Sequence, residues 1–355
     1  MNTLAEGAPI RVLLVEDSPT QRTFLLGLLG AEPDFVVVGT ASTGAEAIAA
    51  AQSLRPNVIA MDILLPDLDG YEVTRRIMRS SPVPIVLIGA DLAAVQRSHD
   101  AFAVGALSIV RKPSPIGSAT HLTERKYFLT TLRLMAGVPV VTHHAPAPPL
   151  ALPISPASDR LQLIALAAST GGPVAIQTIL RGLDADFPLP LVVVQHIVPG
   201  FAASMVEWLG PTVPLPVQLA VSGTVLQPGH VYIAPDDQQM LVEPGGVIGL
   251  RAAVAADRFC PSADVLFSSV ASVYGHRALG IVLTGMGNDG TRGLQALAAA
   301  GSMTLAQDEA SCAVYGMPGA AVAAGAITRV VPLDDLAATI CRLLHYTPLV
   351  SSQSK

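Results

Sequence analysis

Three short strings in this sequence end apolar runs in side chains that could do chemistry together. An apolar run ends in Ala168-Ser169-Thr170-Gly171-Gly172-Pro173, a second ends in Gln195-His196, and a third leads into Thr284-Gly285-Met286-Gly287-Asn288-Asp289-Gly290. If the three runs are strands of one parallel sheet, Ser169, His196 and Asp289 all lie at carboxyl ends, the side on which such sheets hold ligands. Acyl transfer would use all three. His196 takes the Ser169 proton, and Asp289 holds the imidazole and stabilises its protonated form. Two glycines permit a tight turn after Ser169, Pro173 suits a first helical position, and the helix N-terminus offers unpaired N–H groups to developing negative charge. The glycine-rich turn around Met286 exposes further backbone N–H groups that could bind an oxyanion. Each string also has a plainer reading. S-T-G-G can cap a helix or cradle a phosphate, and a lone histidine is more often structural than catalytic. The order Ser, His, Asp differs from that of several serine hydrolase folds, so sheet position carries the assignment.

A second cluster lies nearer the N-terminus. Glu16 and Asp17 follow one apolar run, Asp62 ends another, and Lys112-Pro113 follows a third. Three carboxylates at neighbouring strand ends repel one another unless a hard cation such as Mg²⁺ joins them. With a lysine facing the same crevice, the set suits acceptance of a phosphoryl group: cations neutralise the anion while one carboxylate attacks phosphorus. Singly, an Asp at a strand end is often a helix cap and Lys-Pro an ordinary turn.

The elements that would position these residues alternate regularly. Strands are predicted at Ile10 to Val15, Phe35 to Thr40, Val58 to Met61, Ile85 to Ile88 and Leu107 to Val110, with a closing helix from Leu122 to Met135. This is a five-stranded, flavodoxin-like doubly wound sheet. Residues 137–159 are proline-rich without period and read as a linker, in which His143 and His144 are solvated rather than metal-binding. A second alternation predicts strands at Leu161 to Ala168, Pro190 to Gln195, Val231 to Ala234, Leu279 to Leu283, Met303 to Ala306 and Thr328 to Val331. Helices are predicted over Val174 to Arg181, Phe201 to Leu209, Ser262 to Tyr274, Gly290 to Ala300, Ala320 to Ala324 and Leu333 to Leu344. Antiparallel excursions are expected within Pro211 to Gln227 and Leu241 to Arg251. The expected organisation is therefore residues 1–136, a linker over 137–159, a second α/β, mostly parallel-sheet domain over 160–346 and a tail over 347–355.

Composition bounds the function. The chain has 355 residues, more than one ordinary core holds, and is 51% hydrophobic with only 14% charged residues, as sheets covered on both faces require. A net charge of −6 without a basic stripe argues against nucleic-acid binding. No uninterrupted apolar run is long enough to span a bilayer, and residues 1–9 do not read as a secretory signal, so a cytoplasmic protein that is not membrane-inserted is expected. Cys260, Cys312 and Cys341 are too scattered for a metal site and read as free thiols. Without a heptad seam, a monomer is the expectation.

Glu16, Asp17, Asp62 and Lys112, with P-D-L-D-G at Pro66 to Gly70, resemble the response-regulator receiver family over about the first third of the chain. The resemblance implies that Asp62 is the phosphoacceptor, that Glu16, Asp17 and Asp62 hold Mg²⁺, and that Lys112 contacts the phosphoryl group. Receivers usually carry Ser or Thr where this chain has Gly89, so a hydroxyl that would bond the phosphoryl oxygen is missing. The second domain resembles the CheB family of chemotaxis protein-glutamate methylesterases. It shares A-S-T-G-G at Ala168 to Gly172, Q-H at Gln195 and His196, P-G-F at Pro199 to Phe201, T-G-M-G-N-D-G at Thr284 to Gly290, A-Q-D-E-A-S at Ala306 to Ser311 and G-M-P at Gly316 to Pro318.

By that resemblance Ser169 is the nucleophile, His196 the base, Asp289 the orienter and the Met286 amide an oxyanion donor, with no cofactor needed for catalysis. It implies methylated chemoreceptors as substrate, a chemotaxis histidine kinase as phosphodonor, release of an inhibitory receiver on phosphorylation, and deamidation of receptor glutamines. Two departures stand out. Phe259 and Cys260 replace the family's usual His-Arg, and Asp236, Asp237, Gln238 and Gln239 replace its Gly-Asp-x-His-like segment. A second reading keeps the fold but makes the chain an adaptor without turnover, or a paralogue serving a receptor system outside chemotaxis. The departures favour that reading, and the complete Ser169, His196 and Asp289 set favours the enzyme.

Overall fold

The computed structural model describes residues 8–89, 108–136, 161–196, 201–254 and 257–344. The expected linker with His143 and His144, the tail, and Pro199 and Gly200 of the P-G-F string lie outside the described residues. The chain divides into two compact units, Met1–His143 and His144–Lys355.

The first unit runs β1 (Ile10–Val15), α1 (Pro19–Gly30), β2 (Phe35–Ala41), α2 (Gly44–Leu54), β3 (Val58–Asp62), α3 (Gly70–Ser80), β4 (Ile85–Gly89), β5 (Ser108–Arg111) and α4 (His121–Ala136). Its sheet has the order β2-β1-β3-β4-β5 and every pairing is parallel. Strand order reverses between β1 and β3, so the crevice opens beyond Val15 and Asp62. The strands can be apolar throughout because both faces are covered: all five residues of β3 are buried. Local chemistry sets the helix starts. Ser18 caps α1 with Pro19 following, and Asp69 caps α3 through the Glu72 amide.

The second unit continues with β6 (Leu163–Ala168), α5 (Gly172–Arg181), β7 (Leu191–Gln195), α6 (Phe201–Leu209), β8 (Val217–Leu219), β9 (Val231–Ile233), β10 (Gln238–Glu243) and β11 (Val247–Ala252). Then follow α7 (Ala263–Tyr274), β12 (Ala278–Val282), α8 (Thr291–Ala299), β13 (Met303–Gln307), α9 (Met317–Ala323), β14 (Arg329–Val331) and α10 (Leu333–Leu343). Seven parallel strands lie in the order β14-β13-β12-β6-β7-β9-β8. From β6 the chain first builds outward through β7 and later returns to its other side through β12. The three strands that carry the hydrolase strings are thus adjacent, with the switch point between them.

The hairpin of β10 and β11 pairs antiparallel from Gln238 to Ala252, wider than expected. It packs onto α7 through Met240, Val242 and Ile248, which join Leu266, Phe267 and Val270 in one core. Pro211 to Gln227 departs from the sequence expectation. It forms a 3₁₀ turn at Gly210–Thr212 and the short edge strand β8, parallel to β9, and only Val225 makes an antiparallel bridge, to Val247. Pro211, Pro214 and Pro216 remove the amides a longer ladder would use, which confines the segment to the edge. α9 begins at Met317 rather than Ala320, with Pro318 in its first turn, where a missing N–H costs nothing.

Candidate active site

Ser169 follows β6, His196 follows β7 and Asp289 closes the loop after β12. His196 Nε2 lies 2.8 Å from Asp289 Oδ2. Asp289 is 3% exposed, yet its carboxylate is fully partnered. Oδ2 also accepts the Ala263 amide at 2.7 Å, and Oδ1 accepts the Ser262 hydroxyl at 2.9 Å, the Gly290 amide at 3.0 Å and the Asp264 amide at 3.1 Å. The first turn of α7 therefore aims its free N–H groups at this carboxylate. Burial would raise the Asp289 carboxyl, but the bonds from His196, Ala263 and Asp264 outweigh it and hold the group below its ordinary value of 3.8. An ionised Asp289 accepts the Nε2 proton, which leaves Nδ1 as the basic nitrogen of the neutral ring.

Ser169 is half-buried, and its backbone is held at both ends: its amide donates to Thr284 O at 3.0 Å, and its carbonyl accepts the Gly172 amide at 2.8 Å and Gln195 Nε2 at 2.7 Å. Among the described residues its hydroxyl has no hydrogen-bond partner, nor does His196 Nδ1. The turn at Thr284 to Gly287 approaches Ser169 so closely that residue 285 must be glycine: a Cβ there would sit 2.7 Å from Ser169 Cβ and 2.5 Å from Met317 Sδ. The half-buried Met286 amide donates to no group among the described residues, so an N–H is free beside the serine.

Several residues that build this site were not singled out from sequence as supporting groups. Gln195 ends an otherwise apolar strand and Gln307 a largely apolar one, and both are buried. Gln307 accepts the Thr284 amide at 2.9 Å, while Thr284 Oγ1 donates to Thr170 O and accepts the Val314 amide, each at 2.9 Å. The signal was legible: an amide side chain at the buried end of a strand has to serve polar groups there. The two departures also take definite positions. Phe259 stacks on His196 with ring centroids 5.3 Å apart and planes 14° from parallel, and Gln239 is fully buried.

All three cysteines are free thiols. Burial pushes Cys312 up to about 12 and raises Cys260 and Cys341, so none is an activated thiolate.

In the first unit Lys112 Nζ sits 2.7 Å from Asp62 Oδ2 and 2.8 Å from Glu16 Oε2. Glu16 and Asp62 are buried and Asp17 is exposed, and ligand oxygens of the three converge within 4.8 Å. Burial raises the Glu16 carboxyl above its ordinary value, and the Asp62 charge adds to that against the pull of Lys112. Such crowding fits a divalent cation, and the set of oxygens is the hard donor set that Mg²⁺ prefers. Mg²⁺ at these residues would neutralise a phosphoryl group beside Asp62. Gly89 ends β4 and its carbonyl accepts the Lys112 amide at 2.9 Å, so the position lacking a hydroxyl adjoins the lysine.

None of the described helices is long and apolar enough to cross a membrane. A family model for the response regulator receiver domain matches residues 12–123, and one for CheB methylesterase matches residues 164–340. The protein-glutamate methylesterase/protein-glutamine glutaminase 4 of Geobacter metallireducens is 42% identical over 342 residues, covering 94% of this chain and 99% of the relative. A protein of the same name from Myxococcus xanthus is 44% identical over 339 residues, covering 94% and 96%. The crystal structure of the Thermotoga maritima CheB methylesterase catalytic domain covers 52% of this chain and 98% of its own, with 33% identity and a TM-score of 0.50. With relatives matched over nearly their whole length, and with a hydrolase site on one α/β unit and a receiver site on the other, this chain belongs to the receiver-linked CheB methylesterase family.

Proposed function

We propose that this protein hydrolyses glutamate methyl esters on chemoreceptors, and receptor glutamine amides by the same acyl transfer. The observation that carries the reading is the 2.8 Å bond from His196 to Asp289, made between the loops that follow the two strands flanking the strand of Ser169. Ser169 Oγ attacks the ester carbonyl carbon while His196 Nδ1 takes its proton, since Nε2 is engaged by Asp289. Negative charge on the carbonyl oxygen is met by the Met286 amide. His196 then returns the proton to the leaving oxygen, and methanol departs. Water, activated by the same imidazole, attacks the acyl-Ser169 carbonyl and releases the glutamate carboxylate. For an amide the leaving group is ammonia.

Asp62 accepts a phosphoryl group from a chemotaxis histidine kinase, with Lys112 contacting the phosphoryl oxygens and Glu16, Asp17 and Asp62 as the Mg²⁺ ligands. Phosphorylation raises the esterase activity of the second unit by shifting the population away from an inhibited arrangement. The working form is a cytoplasmic monomer of a receiver (1–136), linker (137–159) and catalytic domain (160–346).

The test is methanol release from methylated receptor membranes by the full chain, with and without Mg²⁺ and a small acyl phosphate. The expected result is turnover that rises with phosphodonor and vanishes in Ser169→Ala. A folded wild-type chain that releases no methanol from several receptor preparations would overturn this reading in favour of an adaptor.

A further inference from the structure

The two segments in which this chain departs from the family pattern are joined by a hydrogen bond. Gln239 Nε2 donates to the Phe259 carbonyl at 2.6 Å, and Gln239 Oε1 accepts the Ser262 amide at 2.8 Å. Gln239 has no exposed surface, so both bonds are made in a dry setting where an unmet amide would be costly. This one side chain therefore fixes both ends of the short segment from Phe259 to Ser262. One end of that segment touches His196: the Phe259 ring lies stacked on the imidazole. The other end touches Asp289, through the Ser262 hydroxyl and the Ala263 amide. The bonded pair His196 and Asp289 is thus held from two sides by a single clamp. Before it, Arg251 pairs with Asp257 through two bonds, of 2.7 and 2.9 Å, which anchors the chain leading into the clamp.

We infer that Phe259, set by Gln239, is a positioning residue for His196 that orients the imidazole and stabilises the cation formed when it takes the serine proton. This rests on the reading of His196 as the general base. The physical basis is the negative face of the aromatic ring. It attracts an imidazolium more strongly than a neutral imidazole, so the contact gains strength as the proton moves and lowers the barrier rather than only tightening binding. A flat ring face also resists rotation of the imidazole away from Asp289 Oδ2. Both halves of the reaction use the same base, so the effect falls on turnover whichever half limits it. Arg258 lies over the same ring, its guanidinium carbon 5.6 Å from the centroid, which helps fix the ring in place.

The test compares Phe259→Leu and Phe259→Trp with the wild-type full chain, using methanol release from methylated receptor membranes. Ser169→Ala serves as the blank, and endpoint labelling of Ser169 by a fluorophosphonate counts the active fraction. Leucine keeps the site apolar without a π face, while tryptophan offers the best one. Phe259→Leu is expected to lower kcat by roughly three- to thirtyfold with KM unchanged and full labelling, and Phe259→Trp to keep most of the wild-type kcat. Wild-type kcat in Phe259→Leu, a loss appearing in KM alone, or equal losses in both variants would overturn the inference while leaving the triad standing. Turnover that persists in Ser169→Ala would instead overturn the triad reading, and this inference with it.

Discussion

Ser262 donates its hydroxyl to Asp289 Oδ1 at 2.9 Å, so the residue that starts helix α7 also partners the carboxylate that faces His196. Ser262 accepts the Val265 amide as the cap of α7, and Asp289 accepts the next two amides, of Ala263 and Asp264. The carboxylate bonded to His196 is thus also a structural cap. Asp289→Asn should fail twice over, because an amide must turn an N–H₂ toward donors that need an acceptor. A loss in kcat of about 10⁴ is expected from the misdirected imidazole, and roughly 2 kcal/mol of stability from hydrogen bonds to a charged group. Methanol release and urea unfolding measured on the same preparation read the two effects. A variant with lost turnover and unchanged stability would disprove the capping role.

The pH dependence of that stability follows from the same bonds. The Asp289 carboxyl is held below its ordinary 3.8, so its ionised form stabilises the fold. That contribution is fully present above the ordinary value and is lost as pH falls through the depressed one. The stability gap between wild type and Asp289→Asn should therefore stay constant from about pH 7 to about pH 5 and narrow only below 3.8, as followed by urea unfolding across that range. A gap that closed near neutrality would assign the stabilisation to another group.

Gly285 is the point of closest approach between the turn carrying Met286 and the turn carrying Ser169. A methyl group on it would meet Met317 Sδ at 2.5 Å, Ser169 Cβ at 2.7 Å and the Ser169 amide nitrogen at 2.9 Å. The backbone contacts of this turn, Ser169 N to Thr284 O, Gly285 N to Val314 O, and both Gly316 N and Met317 N to Gly285 O, leave little room to retreat. Gly285→Ala is expected to cost about 1–3 kcal/mol through overpacking and to lower kcat by about a hundredfold as the serine shifts. Fluorophosphonate labelling should slow in parallel with methanol release, and unchanged labelling would show that the serine had not moved.

Much of this site was legible in the sequence, for a physical reason. Parallel strands buried on both faces are apolar runs, so a run that stops at Ser169, His196 or Asp62 announces where the sheet meets the crevice. Only strand order was needed to bring Ser169, His196 and the loop of Asp289 together. What was not legible is whatever depends on side-chain packing across distant segments. Gln239 was read only as part of a segment that departs from the family, and it is buried and bonded to Phe259, twenty positions away along the chain. The aromatic contact of Phe259 with His196 has no periodic signature either. The segment from Pro211 misled in another way, because its prolines and short apolar runs suit an edge strand as well as a hairpin.

Gln307 offers a test of support beneath the turn that carries Met286. Its Oε1 accepts the Thr284 amide at 2.9 Å and its Nε2 donates to the Ser311 carbonyl at 2.7 Å, so it ties the loop after β12 to the loop after β13. Gln307→Leu keeps the volume and strands both backbone groups. The expected cost is about 2–4 kcal/mol in stability, with kcat reduced about tenfold because Thr284 O holds the Ser169 amide. Gln307→Glu restores the acceptor alone and should recover part of the kcat. Equal loss in both variants would argue that the donor to Ser311 is the more important bond.

At the receiver site Lys112 bridges Glu16 and Asp62 at 2.8 and 2.7 Å. On the proposed reading, a phosphoryl group on Asp62 would take the place of a carboxylate oxygen as the partner of Lys112, and Glu16, Asp17 and Asp62 would hold a Mg²⁺ that neutralises much of the remaining charge. Chelation of divalent ions should therefore abolish the rise in methanol release that an acyl phosphate produces, while the rate without phosphodonor is unaffected, since the hydrolase site uses no metal. Lys112→Ala is expected to cut the phosphodonor-stimulated increment by roughly tenfold or more, because one of the two cations that meet the phosphoryl charge is gone. Glu16→Gln should weaken the increment's dependence on Mg²⁺, shifting its midpoint to higher metal concentration, because one anionic ligand oxygen is removed. If chelator lowered the rate without phosphodonor by the same factor as the stimulated rate, the metal would have to act at the hydrolase site, and the division of labour between the two units would need to be redrawn.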